Sequence, residues 1–176
     1  MTQYIQNIQI YPLPAFEDNY IWCLRQGDLP TVVIVDPGDA EVVLQHLENK
    51  SLQLQAILVP HHHVDHTHGI ERLKQEYGTV PVFGPANSPC NSITQPMKHG
   101  QTISLLNLKL KIIAVPGHTL DHIAYYAQED EFLLCGDTLF MAGCGRVFEG
   151  TPSQLQSSLN QLAKLPGTVR VYPTHE

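Results

Sequence analysis

Short apolar runs recur along the chain at 20–24, 31–35, 54–59, 80–83, 108–115, 123–127, 132–134 and 169–172, most of them bounded by Gly, Pro or Asp. Their length and boundaries predict β-strands. Three helical patterns lie between them. Thr151-Pro152-x-Gln154 is a capping box with proline at the first helical position, Leu155, Leu159 and Leu162 follow at spacings of four and three, and Pro166-Gly167 ends the run. A second helix is predicted after Asp39, with Ala40, Val43, Leu44 and Leu47 on one face. A third is predicted over about 67–77, with Ile70, Leu73 and Tyr77 inward and Gly78 as its stop. The stretch 84–100, with Pro85, Pro89 and Pro96, has no clear period and is expected to be loop. Many short strands and about three helices give an α/β or α+β layered domain. No internal repeat, low-complexity tract or domain boundary is visible in the 176 residues.

Composition narrows the functional classes. Charged residues make up 15% and hydrophobic ones 43%, which supplies a packed core rather than a disordered chain. Ten Lys and Arg against 17 Asp and Glu leave a formal net charge of −7, so a nucleic-acid partner is not expected, since that affinity comes mostly from basic residues on phosphates. The N-terminal segment has no basic residue before Arg25 and no long apolar run, and no segment reaches the roughly 20 apolar residues of a membrane span. A cytoplasmic monomer with no membrane partner is expected. Cys23, Cys90, Cys135 and Cys144 form no Cys-x-x-Cys pair, so they are expected to be reduced thiols.

The unusual feature is histidine. There are ten, and five fall between His61 and His68. The apolar run 56–59 passes directly into Pro60-His61-His62-His63-Val64-Asp65-His66. If the backbone stays extended there, His61, His63 and Asp65 share one side and His62 faces away. Imidazoles and a carboxylate converging at a strand end favour a metal site over core packing, because burying them without a cation is costly. Three later strands end in similar residues: the run 112–115 leads to His118, 132–135 to Asp137, and 169–172 to His175. Strand-end loops on one edge of a rigid scaffold are where binding groups gather. His61, His63, Asp65, His66, His118, Asp137 and His175 make seven candidates, too many for the four positions of one zinc. Two ions roughly 3.5–4 Å apart, with Asp137 as the natural bridge, would use them all. Imidazole and carboxylate without thiolate suit zinc, iron or manganese. Such a pair ionises water near neutral pH and polarises a carbonyl or phosphoryl oxygen, so hydrolysis is the expected reaction type. A single redox iron held by a subset of the ligands is the alternative use.

His61-x-His63-x-Asp65-His66 resembles the H-x-H-x-D-H signature of the metallo-β-lactamase fold superfamily. A narrower resemblance is to the bacterial glyoxalase II (hydroxyacylglutathione hydrolase) family. It runs through the segment 14–22, Val35-Asp36-Pro37-Gly38-Asp39-Ala40, Pro116-Gly117-His118-Thr119-Leu120 and Cys135-Gly136-Asp137-Thr138-Leu139-Phe140. It continues through Gly143-Cys144-Gly145-Arg146 and Phe148-Glu149-Gly150-Thr151 to His175-Glu176. The resemblance implies a four-layer αββα sandwich. It also implies that His61, His63 and His118 bind one metal, that Asp65, His66 and His175 bind the other, and that Asp137 bridges them. Asp65 and Asp137 would then carry the catalysis with a metal-bridging hydroxide. The implied substrate is S-D-lactoylglutathione, cleaved to glutathione and D-lactate, with Arg146 toward a glutathione carboxylate and Phe148 where some members carry Tyr. The alternatives kept open are a mononuclear iron persulfide dioxygenase on the same fold and a metal-binding domain with little turnover.

Pro60, His68 and Asp121 depart from the family pattern, standing where Thr, Gly and Gly are usual; none removes a candidate ligand. Asp121 is read as either a partner of the His118 loop or a solvated charge. The chain stops one residue past His175, where family members continue into a helical substrate-binding domain, so residues 1–176 are expected to be a catalytic domain without that part, a fragment of a longer protein. His62 is expected to face solvent or a neighbouring loop, His46 and His99 to be ordinary surface histidines, and His122 to be a hydrogen-bond partner of the site or a packed core residue. Cys135 is expected to be buried and Cys144 shows no sign of thiolate activation. Asp36, ending the run 32–35, is either a turn residue or an outer support of the site, and the turn is the preferred reading.

Overall fold

The computed structural model describes residues 8–175; the expectations placed on the first seven residues and on Glu176 lie outside them. The strands are β1 (Ile8–Ala15), β2 (Asn19–Gln26), β3 (Thr31–Val35), β4 (Gln53–Leu58), β5 (Val82–Pro85), β6 (Gln95–Met97), β7 (Thr102–Leu105), β8 (Leu108–Ala114), β9 (Ile123–Ala127), β10 (Phe132–Gly136) and β11 (Arg170–Pro173). The helices are α1 (Ala40–Asn49), α2 (Val64–Thr67), α3 (Ile70–Tyr77) and α4 (Pro152–Leu162). One sheet has the order β1-β2-β3-β4-β5-β6 and the other β11-β10-β9-β8-β7.

The period of two along each strand builds the layers. In β3, Val32 and Ile34 face one core with Val43 and Leu47 of α1 and Ile70 and Leu73 of α3. Val33 and Val35 face the other way, against Leu110, Ile112, Tyr125 and Leu134 of the second sheet. In β10, Phe132 and Leu134 face between the sheets, while Leu133 and Cys135 pack with Leu162 of α4. Strands buried on both faces read as continuous apolar runs, and the product is the four-layer αββα sandwich.

Both expected caps form. Thr151 Oγ1 accepts from the Gln154 N–H at 3.2 Å while the Thr151 N–H donates to Gln154 Oε1 at 2.8 Å, and Asp39 accepts from Glu41 N–H at 3.0 Å. Several expectations are corrected. The helix placed over 67–77 is two helices, α2 and α3, broken at His68 and Gly69. The stretch 84–100 is not all loop: it contains the end of β5 and all of β6, which pair in parallel. Strands β1 and β7 were not anticipated. β1 carries Pro12 and Pro14 and lies at the sheet edge, where missing N–H donors are tolerated. The β7–β8 turn places Leu106 and Asn107 at φ 51° and 61°, the pairing of positive φ values that a tight hairpin needs.

Chain direction then sets the site. Strands β3 and β4 are parallel, and β8, β10 and β11 share one direction because β9 runs antiparallel to both β8 and β10 while β10 and β11 are parallel. The two sheets are tied at this edge: Ile123 N–H donates to Pro60 O at 2.9 Å, Tyr20 N–H to Thr174 O at 2.7 Å, and the Tyr125 hydroxyl to Val59 O at 3.0 Å. Among the described residues no helix is long and apolar enough to cross a membrane.

Candidate metal centre

The seven candidate side chains meet at that edge. His61 and His63 follow β4, Asp65 and His66 ride on α2, and His118, Asp137 and His175 stand just past β8, β10 and β11. They form three overlapping triads whose ligand atoms lie within 4.8 Å of one another: His61, His63 and His118; His61, His66 and Asp137; and Asp65, His66 and His175. The expectation that His61, His63 and Asp65 share one side does not hold. The backbone is extended only to His63, whose φ and ψ are −57° and 149°, and α2 then turns Asp65 into the triad of His66 and His175.

The Asp137 carboxylate is common to both ends. Its Oδ1 lies 3.4 Å from His66 Nε2, and its Oδ2 lies 3.4 Å from His118 Nε2 and 3.4 Å from His175 Nε2. Asp65 Oδ2 is 3.4 Å from His66 Nε2 and 3.5 Å from His175 Nε2. His118 Nε2 is 3.1 Å from His63 Nδ1.

The polar groups at the centre are left without partners of their own. His61 is 0% exposed, and neither of its ring nitrogens has a hydrogen bond; His66 Nε2 and Asp137 Oδ1 are also buried and unpaired. Unpaired buried polar atoms are costly, and three of them converging in one place, one His61 nitrogen with His66 Nε2 and an Asp137 oxygen, fit a cation that takes them as ligands. The donor chemistry agrees, being imidazole and carboxylate with no thiolate. These groups can hold divalent metal.

Electrostatics divides the constellation. Burial and neighbouring imidazoles push His61 well below the usual histidine range, and burial lowers His63 and His118 as well, leaving neutral rings able to offer lone pairs. Around His66 the balance is reversed. Its burial opposes charge, but Asp36, Asp137 and Asp65 together raise it, and the Asp137 and Asp65 carboxylates raise His175 to about 10. Burial works against ionising Asp137, yet His175 and His66 hold it below the usual carboxylate range. Carboxylates that retain protons on imidazoles this strongly favour a bound cation in the same place.

Surrounding residues fix ring orientation, which is how ligand geometry is normally held. His66 Nδ1 donates to Asp36 Oδ1 at 2.8 Å, and Asp36 Oδ2 accepts from the Thr174 hydroxyl at 2.8 Å. Both readings of Asp36 hold, the preferred turn residue and the outer support of the site. It does turn the chain, with φ 57°, but it is also the buried anchor of His66; a carboxylate ending an apolar strand just before Pro37-Gly38 was the available signal. His118 Nδ1 donates to the backbone carbonyl of Arg146 at 2.7 Å. Gly145 permits this approach, since a Cβ there would strike Asp137 O and His118 Nδ1. Asn19, absent from the sequence-based candidates, donates to Asp65 Oδ2 at 3.0 Å, and Asp18 Oδ1 lies 3.2 Å from His175 Nδ1.

His122 is a buried partner of the site. It accepts the Asp137 N–H on Nε2 at 3.0 Å, so Nδ1 carries the hydrogen and donates to Ile123 O at 3.1 Å; the ring stacks on His61 and burial pushes it down to about 3. Gly136, at φ 50°, makes room for that ring: a Cβ would meet His122 Cε1 at 2.8 Å. Arg146 and Phe148 lie on the exposed segment beside His118. Phe148 is 64% exposed, with its ring edge-on to His63 and His118 at 5.3 Å and 5.2 Å. An open groove lined by Phe16, Asp18, Asn19, Val64 and the exposed His68 runs up to Asp65. His62 points away from the centre, toward Asp121 and Glu149. His99 is exposed, whereas His46 is half-buried against the Tyr11 hydroxyl at 3.1 Å and is not an ordinary surface residue. Cys135 is buried and Cys144 exposed.

Known proteins are similar to this chain in sequence and in fold. The hydroxyacylglutathione hydrolase of Ectopseudomonas mendocina (strain ymp) is 52% identical over 170 residues, covering 96% of this chain and 66% of its own. That of Pseudoalteromonas translucida (strain TAC 125) is 48% identical over 169 residues, covering 96% and 65%. The chain therefore spans just under two thirds of the length of these relatives. The crystal structure of TTHA1623 in a di-iron-bound form superposes with a TM-score of 0.78 at 26% identity, covering 94% of this chain and 92% of that one. Residues 27–175 match the family model of the metallo-beta-lactamase superfamily, and the chain belongs to that superfamily.

Proposed function

We propose that this chain is the metal-bearing part of a thioester hydrolase that cleaves S-D-lactoylglutathione with water to give glutathione and D-lactate. The observation that carries the reading is the shared Asp137 carboxylate, whose two oxygens face His66 on one side and His118 and His175 on the other at 3.4 Å. Identity at about half of the aligned positions to hydroxyacylglutathione hydrolases supports thioester cleavage over other hydrolytic reactions. His61, His63 and His118 would hold one zinc, Asp65, His66 and His175 the second, and Asp137 both; iron or manganese would suit the same donors. When bound, the pair supplies a water ionised near neutral pH and polarises the thioester carbonyl.

The chain's own groups do the positioning. Asp36 and the Arg146 carbonyl aim the lone pairs of His66 and His118 inward, and Asn19 holds Asp65. Phe148 presents an exposed ring over His63 and His118 against which the thioester stem would lie, and the exposed Arg146 guanidinium would suit a carboxylate of the tripeptide.

The test is metal analysis combined with two assays on the purified chain, thioester hydrolysis run without oxygen and oxygen consumption run in air with a glutathione persulfide. About two ions per chain and lactoylglutathione hydrolysis in the absence of oxygen support the proposal. One iron per chain with oxygen uptake would establish the dioxygenase instead, and two ions with hydrolysis no faster than buffer would establish a metal-binding domain with little turnover.

A further inference from the structure

The three segments that meet around the His61–His63–His118 triad also carry a second set of side chains directed away from it. His62 lies between two members of the triad. Its Nδ1 is 3.0 Å from Asp121 Oδ1 and its Nε2 is 3.1 Å from Glu149 Oε1. Asp121 stands three residues past His118, on the loop joining β8 to β9, and Glu149 stands three residues past Arg146. Asp121 Oδ1 also accepts from the Thr119 hydroxyl at 2.7 Å, and Glu149 Oε2 accepts from the Leu120 N–H at 3.0 Å. The ring of contacts closes through the backbone. The Phe148 and Glu149 N–H groups donate to His118 O at 3.1 Å and 3.3 Å, and His118 Nδ1 donates to Arg146 O. His62 thus ties residues 61–63, 118–121 and 146–149 together through one side chain.

Two features show that this is a strut rather than an accidental contact. The nitrogens of an imidazole point away from each other, so a ring meeting a different carboxylate at each one spans the gap between them, even though one ligand atom from each of the three residues lies within 4.8 Å of the others. Asp121 is almost fully buried, and its Oδ2 has no partner, so this carboxylate depends on His62 and Thr119 for its compensation.

We propose that His62, with Asp121 and Glu149, is a positioning device that sets the separation of His118 from His61 and His63, and so selectively tightens the cation position formed by that triad. The proposal rests on that triad holding an ion. It assigns His62 no contact with metal or substrate. Its effect is to fix in advance a geometry that the loop would otherwise sample only part of the time.

The experiment uses the full chain, stripped of metal and titrated with zinc against a chromophoric chelator, with the visible spectrum of the cobalt-loaded protein as a second readout. His62→Ala is expected to weaken one of the two dissociation constants by about 10–100-fold, the range for loss of a group that orients a ligand, and to leave the other in place. The cobalt spectrum should change at one of the two sites. Because His62→Ala leaves the buried Asp121 with the Thr119 hydroxyl alone, the double variant His62→Ala/Asp121→Ala is measured too; it should weaken the same constant by no more than the single variant, the non-additivity expected of residues acting as one unit. His62→Asn, whose amide donates from near the Nδ1 position, should recover most of the loss. Unchanged constants in both Ala variants overturn the proposal. So does an equal fall of both constants with a general loss of thermal stability, and so does a third ion in the parent chain that His62→Ala removes. A parent chain that takes up fewer than two ions overturns the reading of the pair, and the proposal with it.

Discussion

Asp36→Ala is the substitution whose cost the structure specifies most fully. The carboxylate is 2% exposed and accepts from His66 Nδ1 and the Thr174 hydroxyl, each at 2.8 Å. Removing one member of a buried, hydrogen-bonded charge pair costs about 3–5 kcal/mol. Asp36 also sits at φ 57°, but aspartate and alanine share the Cβ that is strained there, so the substitution adds little at the backbone. A loss of about 3–5 kcal/mol is a large part of the roughly 5–15 kcal/mol that holds a domain folded. At about 2–4 °C per kcal/mol for a chain of this size, the metal-free protein should melt about 6–20 °C lower. Asp36→Asn tolerates positive φ and keeps a carbonyl acceptor of similar shape, so its loss should be about half as large. Both should weaken the cation position of Asp65, His66 and His175 by about 10–100-fold, because His66 loses the partner that aims its Nε2. Thermal unfolding by circular dichroism and zinc competition titrations measure the two effects. An Asp36→Ala protein that melts within about 3 °C of its parent and binds zinc as tightly would refute the assignment of Asp36 as the anchor of His66.

Three further outcomes follow from the site. Asp137→Ala should abolish both the two-ion stoichiometry and thioester hydrolysis; two ions retained by elemental analysis would contradict a shared carboxylate. Arg146→Ala should raise KM with metal content unchanged, because only the backbone carbonyl of Arg146 holds His118; loss of metal would show that the side chain matters to the centre instead. Burial raises the Cys23 thiol to about 11 and Cys135 to about 12, so both remain protonated as the pH rises to about 9 and only their unfolded forms should react with a disulfide reagent. Rapid labelling of the native protein under those conditions should be confined to the exposed Cys144 and the half-buried Cys90; mass spectrometry showing Cys23 or Cys135 labelled as fast would contradict the packing.

What the sequence discloses depends on how local the cause is. Strands buried on both faces, such as β3 and β9, are apolar throughout and declare themselves without knowledge of their neighbours. The α4 capping box is contained in four residues. The seven candidate ligands are visible because each stands directly after an apolar run, and parallel strand direction then brings them to one edge. The misses have non-local causes. β1 is a strand only because β2 pairs with it along its whole length, despite Pro12 and Pro14. β6 is three residues long, carries Pro96 and exists through its pairing with β5. Asp65 changes triads because one turn of helix starts at Val64, a break in backbone direction that alternation of side chains cannot foresee. Asp36, Asn19 and His62 act through partners 30, 46 and 59 positions away, distances at which sequence spacing carries no geometric information.

The central claim is that one carboxylate joins two neighbouring cations held by four separate strand ends. Anomalous diffraction from a zinc-loaded crystal tests it directly. Two peaks about 3.5–4 Å apart, with Asp137 oxygens touching both, are the predicted result. A single peak, or a pair in which Asp137 touches neither ion, would contradict it.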